Sequence, residues 1–289
     1  MTEGITHRSQ CHATCHCNQD KVSVVIPTFN EARNLPHVFK LLRPEYEVIV
    51  VDGDSEDGSA HIARSLRPNA IVIQQSRRGK GNALACGFAV ASGHIIVMLD
   101  ADGSADPREI PRFVRALLEG ADFAKGTRFV VGGGSNDITR IRRAGNRALN
   151  SLVNVAYGTR YSDLCYGFNA FWRYCLPVFQ LTPGQPGTPR WGDGFEVETL
   201  INVRVAQAGL RVVEVPSYEG ARAFGESKLN TVKDGSRVLR TIVFERLTND
   251  AACHRRIHTA SGQASLSLLQ ETAGVVDVDV VAENHVGAL

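Results

Sequence analysis

The sequence predicts an α/β domain built on a mainly parallel sheet with helices on its faces. Three observations predict it. Short β-branched runs, which read as strands buried on both faces, alternate with stretches of helical apolar spacing. Strands separated by helices imply βαβ units with right-handed crossovers. Finally, His94-Ile-Ile-Val-Met-Leu-Asp100-Ala-Asp102 is an apolar segment of strand length that ends in two carboxylates one residue apart. A parallel sheet opens its ligand crevice at the carboxyl ends of its strands. Two acids there are good ligands for a hard cation such as Mg²⁺ or Mn²⁺. The alternative is a strand-end Asp capping the next helix beside a merely solvated acid.

The predicted strands are Val22-Ser-Val-Val-Ile26, Glu47-Val-Ile-Val-Val-Asp52, Ala70-Ile-Val-Ile-Gln74 and Ile95-Ile-Val-Met-Leu99. Leu35, Val38, Phe39 and Leu42 fall at i, i+3, i+4, i+7, as do Ile110, Phe113, Val114 and Leu117. For the second helix Asp106 is a cap, Pro107 suits the first position, Glu109 completes a capping box and Gly120 follows the end. Beyond Arg128, Gly132-Gly-Gly134-Ser-Asn-Asp reads as a flexible loop and Ile138 to Val155 as a helix. Thr182 to Pro189 is too rich in Pro and Gly for regular structure. Phe195 to Ala208 reads as a helix, Arg211 to Val215 as a strand and Val232 to Arg246 as a helix. Residues 1–20 read as a disordered tail, 21–247 as one domain, and 248–289, apolar only at Val275 to Val281, stay unassigned.

The composition, 43% hydrophobic and 21% charged, is that of an ordinary globular protein, and a net charge of +2 argues for no nucleic-acid partner. No apolar run approaches the ~20 residues of a membrane helix. No basic start precedes an apolar stretch at the N-terminus, so no signal peptide is visible. A cytoplasmic location follows, with peripheral contact at the inner face of the membrane left open. Arg237, Arg240, Arg246, Arg255 and Arg256 could supply a basic face there, or simply a solvated one. Of seven cysteines, Cys11, Cys15 and Cys17 cluster with His12 and His16, but no second ligand pair follows at a zinc-finger spacing.

Parallel strands bring the segments after them to one edge. These are Pro27-Thr-Phe-Asn30-Glu31, Asp52-Gly-Asp54-Ser-Glu-Asp57-Gly58, Arg77-Arg78-Gly-Lys80-Gly81, and the Asp100/Asp102 pair. Singly, each could be a self-bonded turn or a solvated basic run. Together, acids, a basic Gly-rich turn and a Pro-Thr turn suit a nucleoside diphosphate and a metal.

In sequence and order these motifs resemble the family 2 glycosyltransferases of GT-A (Rossmann-like) fold, and within them the polyprenyl-phosphate mannosyl- and glucosyltransferases. The resemblance covers roughly Val22 to Arg246. It implies that Pro27, Thr28, Glu31, Asp52 and Asp54 bind the nucleotide of a GDP- or UDP-hexose, with Lys80, Ala101 and Arg128 at the same donor. It also implies that Asp100 and Asp102 hold Mg²⁺ or Mn²⁺. Gly126-Thr-Arg128, Asp163-Leu-Cys-Tyr-Gly167-Phe168 and Glu214-Val-Pro216 resemble acceptor-side segments, and Arg222-Ala-Phe-Gly225-Glu-Ser-Lys228 resembles the phosphate-contacting loop. Two departures stand out. The usual Asp-Asp-Gly-Ser turn reads Asp52-Gly-Asp54-Ser, and Ser104 replaces a frequent Gln, which weakens a metal ligand.

The implied reaction is inverting transfer of a hexose to a polyprenyl phosphate. Asp100, Asp102, Arg222 and Lys228 would stabilise the leaving diphosphate. A lipid phosphate needs no strong base, whereas a soluble glycan or small-molecule hydroxyl would need one. Asp193, Glu196 and Glu198 are the candidates, with Glu198 nearest the family's acidic position; an acidic first turn favouring the helix dipole is the other reading. A non-catalytic sugar-nucleotide-binding module is a third possibility, which would not need both a phosphate clamp and a metal.

Overall fold

The computed structural model describes residues 21–225 and 235–248. The Cys/His cluster at 11–17, Lys228, Arg255, Arg256 and the Val275–Val281 patch lie outside the described residues, as do the segments 1–20 and 249–289. The chain runs through β1 (Val22–Thr28), α1 (Leu35–Leu41), β2 (Glu47–Asp52), α2 (Ser59–Leu66), β3 (Ile71–Gln74), α3 (Lys80–Val90), β4 (Ile95–Met98), α4 (Ile110–Leu118) and β5 (Phe123–Thr127). It continues through β6 (Gly134–Ser135), α5 (Arg140–Tyr157), β7 (Asn169–Trp172), α6 (Leu176–Phe179), α7 (Val197–Gln207), β8 (Val212–Pro216) and β9 (Tyr218–Glu219). A further helix covers 235–248.

Among the described residues seven strands form one sheet in the order β3-β2-β1-β4-β7-β5-β8, and β6 pairs with β9 separately. Of these seven strands, β7 alone runs antiparallel to its neighbours, β4 and β5. Because it opposes both, β5 and β8 point the same way as β1 to β4, and six strands present their carboxyl ends at one edge. The register is level there, with Thr28 opposite Asp52 and Asp52 opposite Gln74.

Alternation along the strands divides the core into two layers. Val24, Ile26, Val48, Val50, Ile95 and Val97 face α1, α2 and α4 through Leu35, Ala63 and Phe113. Val25, Ile49, Val51, Ile96 and Met98 face α3, α6 and α7 through Leu84, Phe179 and Ile201. On the second side Phe171 meets Phe88 and Phe179 edge-on, at centroid distances of 5.5 and 4.8 Å. α3 carries no amphipathic signature because it is buried all round, from Gly81 to Phe88. Its small residues let it lie on the sheet, since a Cβ at Gly87 would come within 2.3 Å of Val25 Cγ1.

Three local expectations change. Asp106 caps the turn before α4 by accepting from Arg108 N, but Glu109 does not reach back to close a capping box. Its carboxylate instead accepts from Ser217 Oγ and Tyr218 N, because the loop after β8 passes within reach. The Gly132 loop is tied down by the β6–β9 pairing. The helix expected over Ile138–Val155 begins at Arg140, where the Thr139 hydroxyl caps Arg142 N, and stops at Gly158, whose φ is +67°. Among the described residues no helix is long and apolar enough to cross a membrane.

Candidate active site

The shared edge encloses a cavity of about 480 Å³. Its wall takes Pro27, Thr28 and Glu31 from the loop after β1, Gly53 after β2, and Gln75, Arg78 and Lys80 after β3. Asp100, Ala101, Asp102 and Ser104 follow β4, Arg128 follows β5, and Arg222 lies beyond β9. The expected convergence of strand-end loops is present.

The first two loops are stitched together by their own polar groups. Asn30 N donates to Ser55 Oγ, Glu56 N to Asn30 Oδ1, Glu31 N to Ser59 Oγ and Ala32 N to Asp57 Oδ2, all at 2.8–2.9 Å. Asp52 is buried; its Oδ2 accepts from Ser55 N at 3.1 Å, while Oδ1 has no partner among the described residues. Asp52 does not line the cavity, and neither does Asp54, whose φ of +70° swings it onto Gln74 Nε2 at 3.2 Å. That carboxylate stands one residue past Gly53, the position of this turn that does line the wall.

Lys80 opens α3 and lies between two acids, with Nζ 2.6 Å from both Asp100 Oδ1 and Glu198 Oε1. Burial disfavours its ammonium, yet the two carboxylates outweigh that and hold its pKa above the ordinary lysine value. Burial pushes the Glu198 carboxyl upward, with Lys80 opposing. Gly167 closes the group from above, since a Cβ there would lie 3.1 Å from both Glu198 Oε1 and Lys80 Nζ. Asp102, nearly buried, accepts from Ser104 N at 3.0 Å and Ser104 Oγ at 2.7 Å on one oxygen. Its other oxygen meets Arg222 Nη2 at 3.0 Å. Ser104 therefore orients a carboxylate here. Arg222 Nε is buried with no partner among the described residues.

Other expected groups are tied to neighbouring acids or to backbone. Arg128 lines the cavity, but Asp163 takes its Nε and Nη2 at 2.7 and 2.9 Å, and Glu219 takes Nη1 at 2.9 Å. Asp193 is held by Arg77 at 2.8 and 2.9 Å, and Glu196 accepts from Gly192 N and Gly194 N. Neither lines the cavity, so Glu198 is the base candidate of the three that reaches it. The glycines of Arg78-Gly-Lys80-Gly81 serve chain contact, since Gly81 N donates to Asp193 O at 2.7 Å. A Cβ at Gly81 would lie 1.8 Å from Gly192 O. Lys228 lies outside the described residues. The sequence reading missed Arg142, Ile138 and Leu149 of the α5 region as cavity walls. Their helix was legible, but not which side of it would meet the sheet edge.

The family model for glycosyl transferase family 2 matches residues 23–176. The chain belongs to that family. It is 30% identical over 239 residues to the glycosyltransferase AglJ of Haloferax volcanii, covering 80% of this chain and 74% of that one. It is 32% identical over 219 residues to the dolichol-phosphate mannosyltransferase of Pyrococcus furiosus, covering 72% of this chain and 59% of that one. Among solved structures, glucosyl-3-phosphoglycerate synthase of Mycobacterium tuberculosis bound to phosphoglyceric acid matches with a TM-score of 0.61 and 25% identity. That match covers 78% of this chain and 79% of the synthase. The same synthase has been solved with Mn²⁺, uridine diphosphate and glucosyl-3-phosphoglycerate, matching with a TM-score of 0.58. This family 2 chain is thus a glycosyltransferase of GT-A fold, and the binding-module reading falls away.

Proposed function

We propose that this glycosyltransferase moves a hexose from a GDP- or UDP-sugar to a polyprenyl phosphate, with inversion and with a divalent cation. The observation that carries the donor half is the meeting of Asp100, Asp102, Lys80, Glu198 and Arg222 on one cavity whose rear wall is Pro27, Thr28 and Glu31. Two carboxylates one residue apart are a hard-oxygen donor set and fit Mg²⁺ or Mn²⁺ completed by diphosphate oxygens. Asp100 and Asp102 would hold the ion, which when bound would neutralise charge on the leaving nucleoside diphosphate.

The chain's own residues do the rest. Lys80 keeps Asp100 oriented and adds a fixed positive charge beside the diphosphate. Arg222 has guanidinium donors to give a phosphate, including the buried Nε. Glu198 commits an oxygen to Lys80, which suits an acceptor that needs no deprotonation. A phosphate monoester is already an anion near pH 7. The cavity wall also includes the apolar Ile138, Leu149, Phe195 and Val238, together with Arg142, whose Nη1 donates to Asp137 Oδ2 at 3.3 Å. A prenyl chain ending in phosphate matches that combination. The mannosyltransferase of P. furiosus supports this reading by its name.

The structural neighbour bound to phosphoglyceric acid favours a second reading, a soluble acceptor that also carries phosphate. Labelled transfer from GDP- and UDP-hexoses with Mn²⁺ or Mg²⁺, offered polyprenyl phosphate and phosphoglycerate in parallel and then extracted with butanol, separates the two. Label in the butanol phase is the expected result. Turnover confined to the aqueous phase overturns the lipid acceptor.

A further inference from the structure

We infer that the outer face of α5 is a docking surface for an anionic lipid bilayer. α5 is an 18-residue helix with two apolar faces. One is spent inside the protein, where Val153 packs with Val238 and Ile242, and Leu149 and Tyr157 support them. The opposite one is not. Ile141, Ala144, Ala148, Leu152 and Val155 recur at i, i+3, i+7, i+11 and i+14 and form a single stripe about 20 Å long on the solvent side. Ile141 is 76% exposed, Val155 87% and Leu152 38%. Scattered exposed aliphatics are ordinary, but a continuous helical stripe is not.

Charge chooses the occupant. Arg140, Arg143 and Arg147 are exposed along one flank of the stripe, and α5 contains no acidic residue at all. At the N-terminal end Arg143 lies 5.8 Å over the Phe129 ring, in the loop that exposes Val131 to 99%. An apolar stripe with a basic flank is the form of a helix lying in a bilayer interface. Two copies of the chain joined through this face would bring both sets of arginines into one contact, with no α5 carboxylate to answer them. Place adds a further argument. Gly145 and Leu149, on the other flank, line the cavity, so a membrane seated on the stripe would lie at its mouth. The surface stands on exposure and charge, independently of which acceptor the site takes.

The test is flotation of the full chain with vesicles of phosphatidylcholine alone and of phosphatidylcholine mixed with phosphatidylglycerol. Binding to the anionic vesicles, weakened by salt, is expected. Arg140→Gln and Arg147→Gln should each reduce the partition coefficient about fivefold. The double variant Ile141→Gln/Val155→Gln should abolish flotation with an unchanged thermal midpoint, since both side chains are exposed and Gln is a good helix former. Failure of the full chain to float overturns the inference, as does flotation untouched by these substitutions. Loss of a dimer in the double variant assigns the stripe to a second copy and also overturns it. Aqueous-only transfer by a chain that floats rejects the lipid acceptor while leaving the docking surface in place.

Discussion

Replacing Lys80 by Met probes the electrostatics of the site most directly. The Lys80 and Glu198 side chains are 14% and 7% exposed and meet at 2.6 Å. Removing the ammonium leaves the Glu198 carboxylate buried beside Asp100 with its cation gone. Breaking a buried pair from one side costs about 3–5 kcal/mol. Two features favour the low end. The Asp100 side chain is 36% exposed and stays hydrated, and Glu198, already pushed upward by burial, can take up a proton. A loss of about 3 kcal/mol corresponds to a midpoint lowered by about 6–12 °C in a domain of this size. The pH dependence has a definite sign. An acid whose folded pKa lies above its unfolded value destabilises the fold as pH rises between the two. The variant's deficit therefore grows upward from near pH 4.5, the ordinary glutamate value, and shrinks on acidification. Adding Glu198→Gln should recover part of the loss, giving a coupling of about 1–3 kcal/mol in the double-mutant cycle. Urea titrations at pH 7 and pH 5 measure all of this. A deficit below about 1 kcal/mol at pH 7 with additive single variants would refute the buried ion pair.

Asp102→Asn should leave the fold intact and lower transfer by about 100-fold or more in steady-state assays, and chelation of divalent ions should silence the parent enzyme until Mn²⁺ or Mg²⁺ is restored. Gly81→Ala should destabilise by at least about 1–3 kcal/mol, because the new methyl meets backbone at 1.8 Å. Gly145→Ala, inside α5 with nothing within 4 Å, should stabilise by about 0.5–1 kcal/mol in the same melting experiment. Glu47, at the opposite end of β2, is buried enough to raise its pKa, but hydrogen bonds from Ser23 and Ser92 outweigh burial and lower it to about 2. Its stabilisation is complete above about pH 4.5 and disappears as pH falls towards 2, so Glu47→Gln should flatten the acid limb of a stability–pH curve.

Much of the fold was legible because its signals are local. β1, β2, β3 and β4 announce themselves as β-branched runs, and α4 by its apolar spacing and Asp106 cap. α3 was not legible, since a helix buried on all sides has no polar face to reveal its period. β7 escaped because its antiparallel place between β4 and β5 depends on pairing partners distant in sequence. Within the site, the Asp100/Asp102 pair was readable from an abrupt strand end. The absence of Asp52, Asp54, Asp193 and Glu196 from the cavity wall was not, because it turns on backbone conformation and on which donors reach each carboxylate.

Residue order by itself determined the parallel α/β class, the edge at which the strand-end loops gather, and the hard-oxygen character of the Asp100/Asp102 pair proposed to hold the metal. Periodicity and strand-end composition suffice for these. Tertiary structure decided which charges stay available. It paired Arg128 and Arg77 with buried acids, stretched Lys80 between Asp100 and Glu198, and set Arg222 on Asp102. It also turned one apolar stripe of α5 away from the core. Such outcomes depend on distances between side chains far apart in sequence, which residue types alone do not encode.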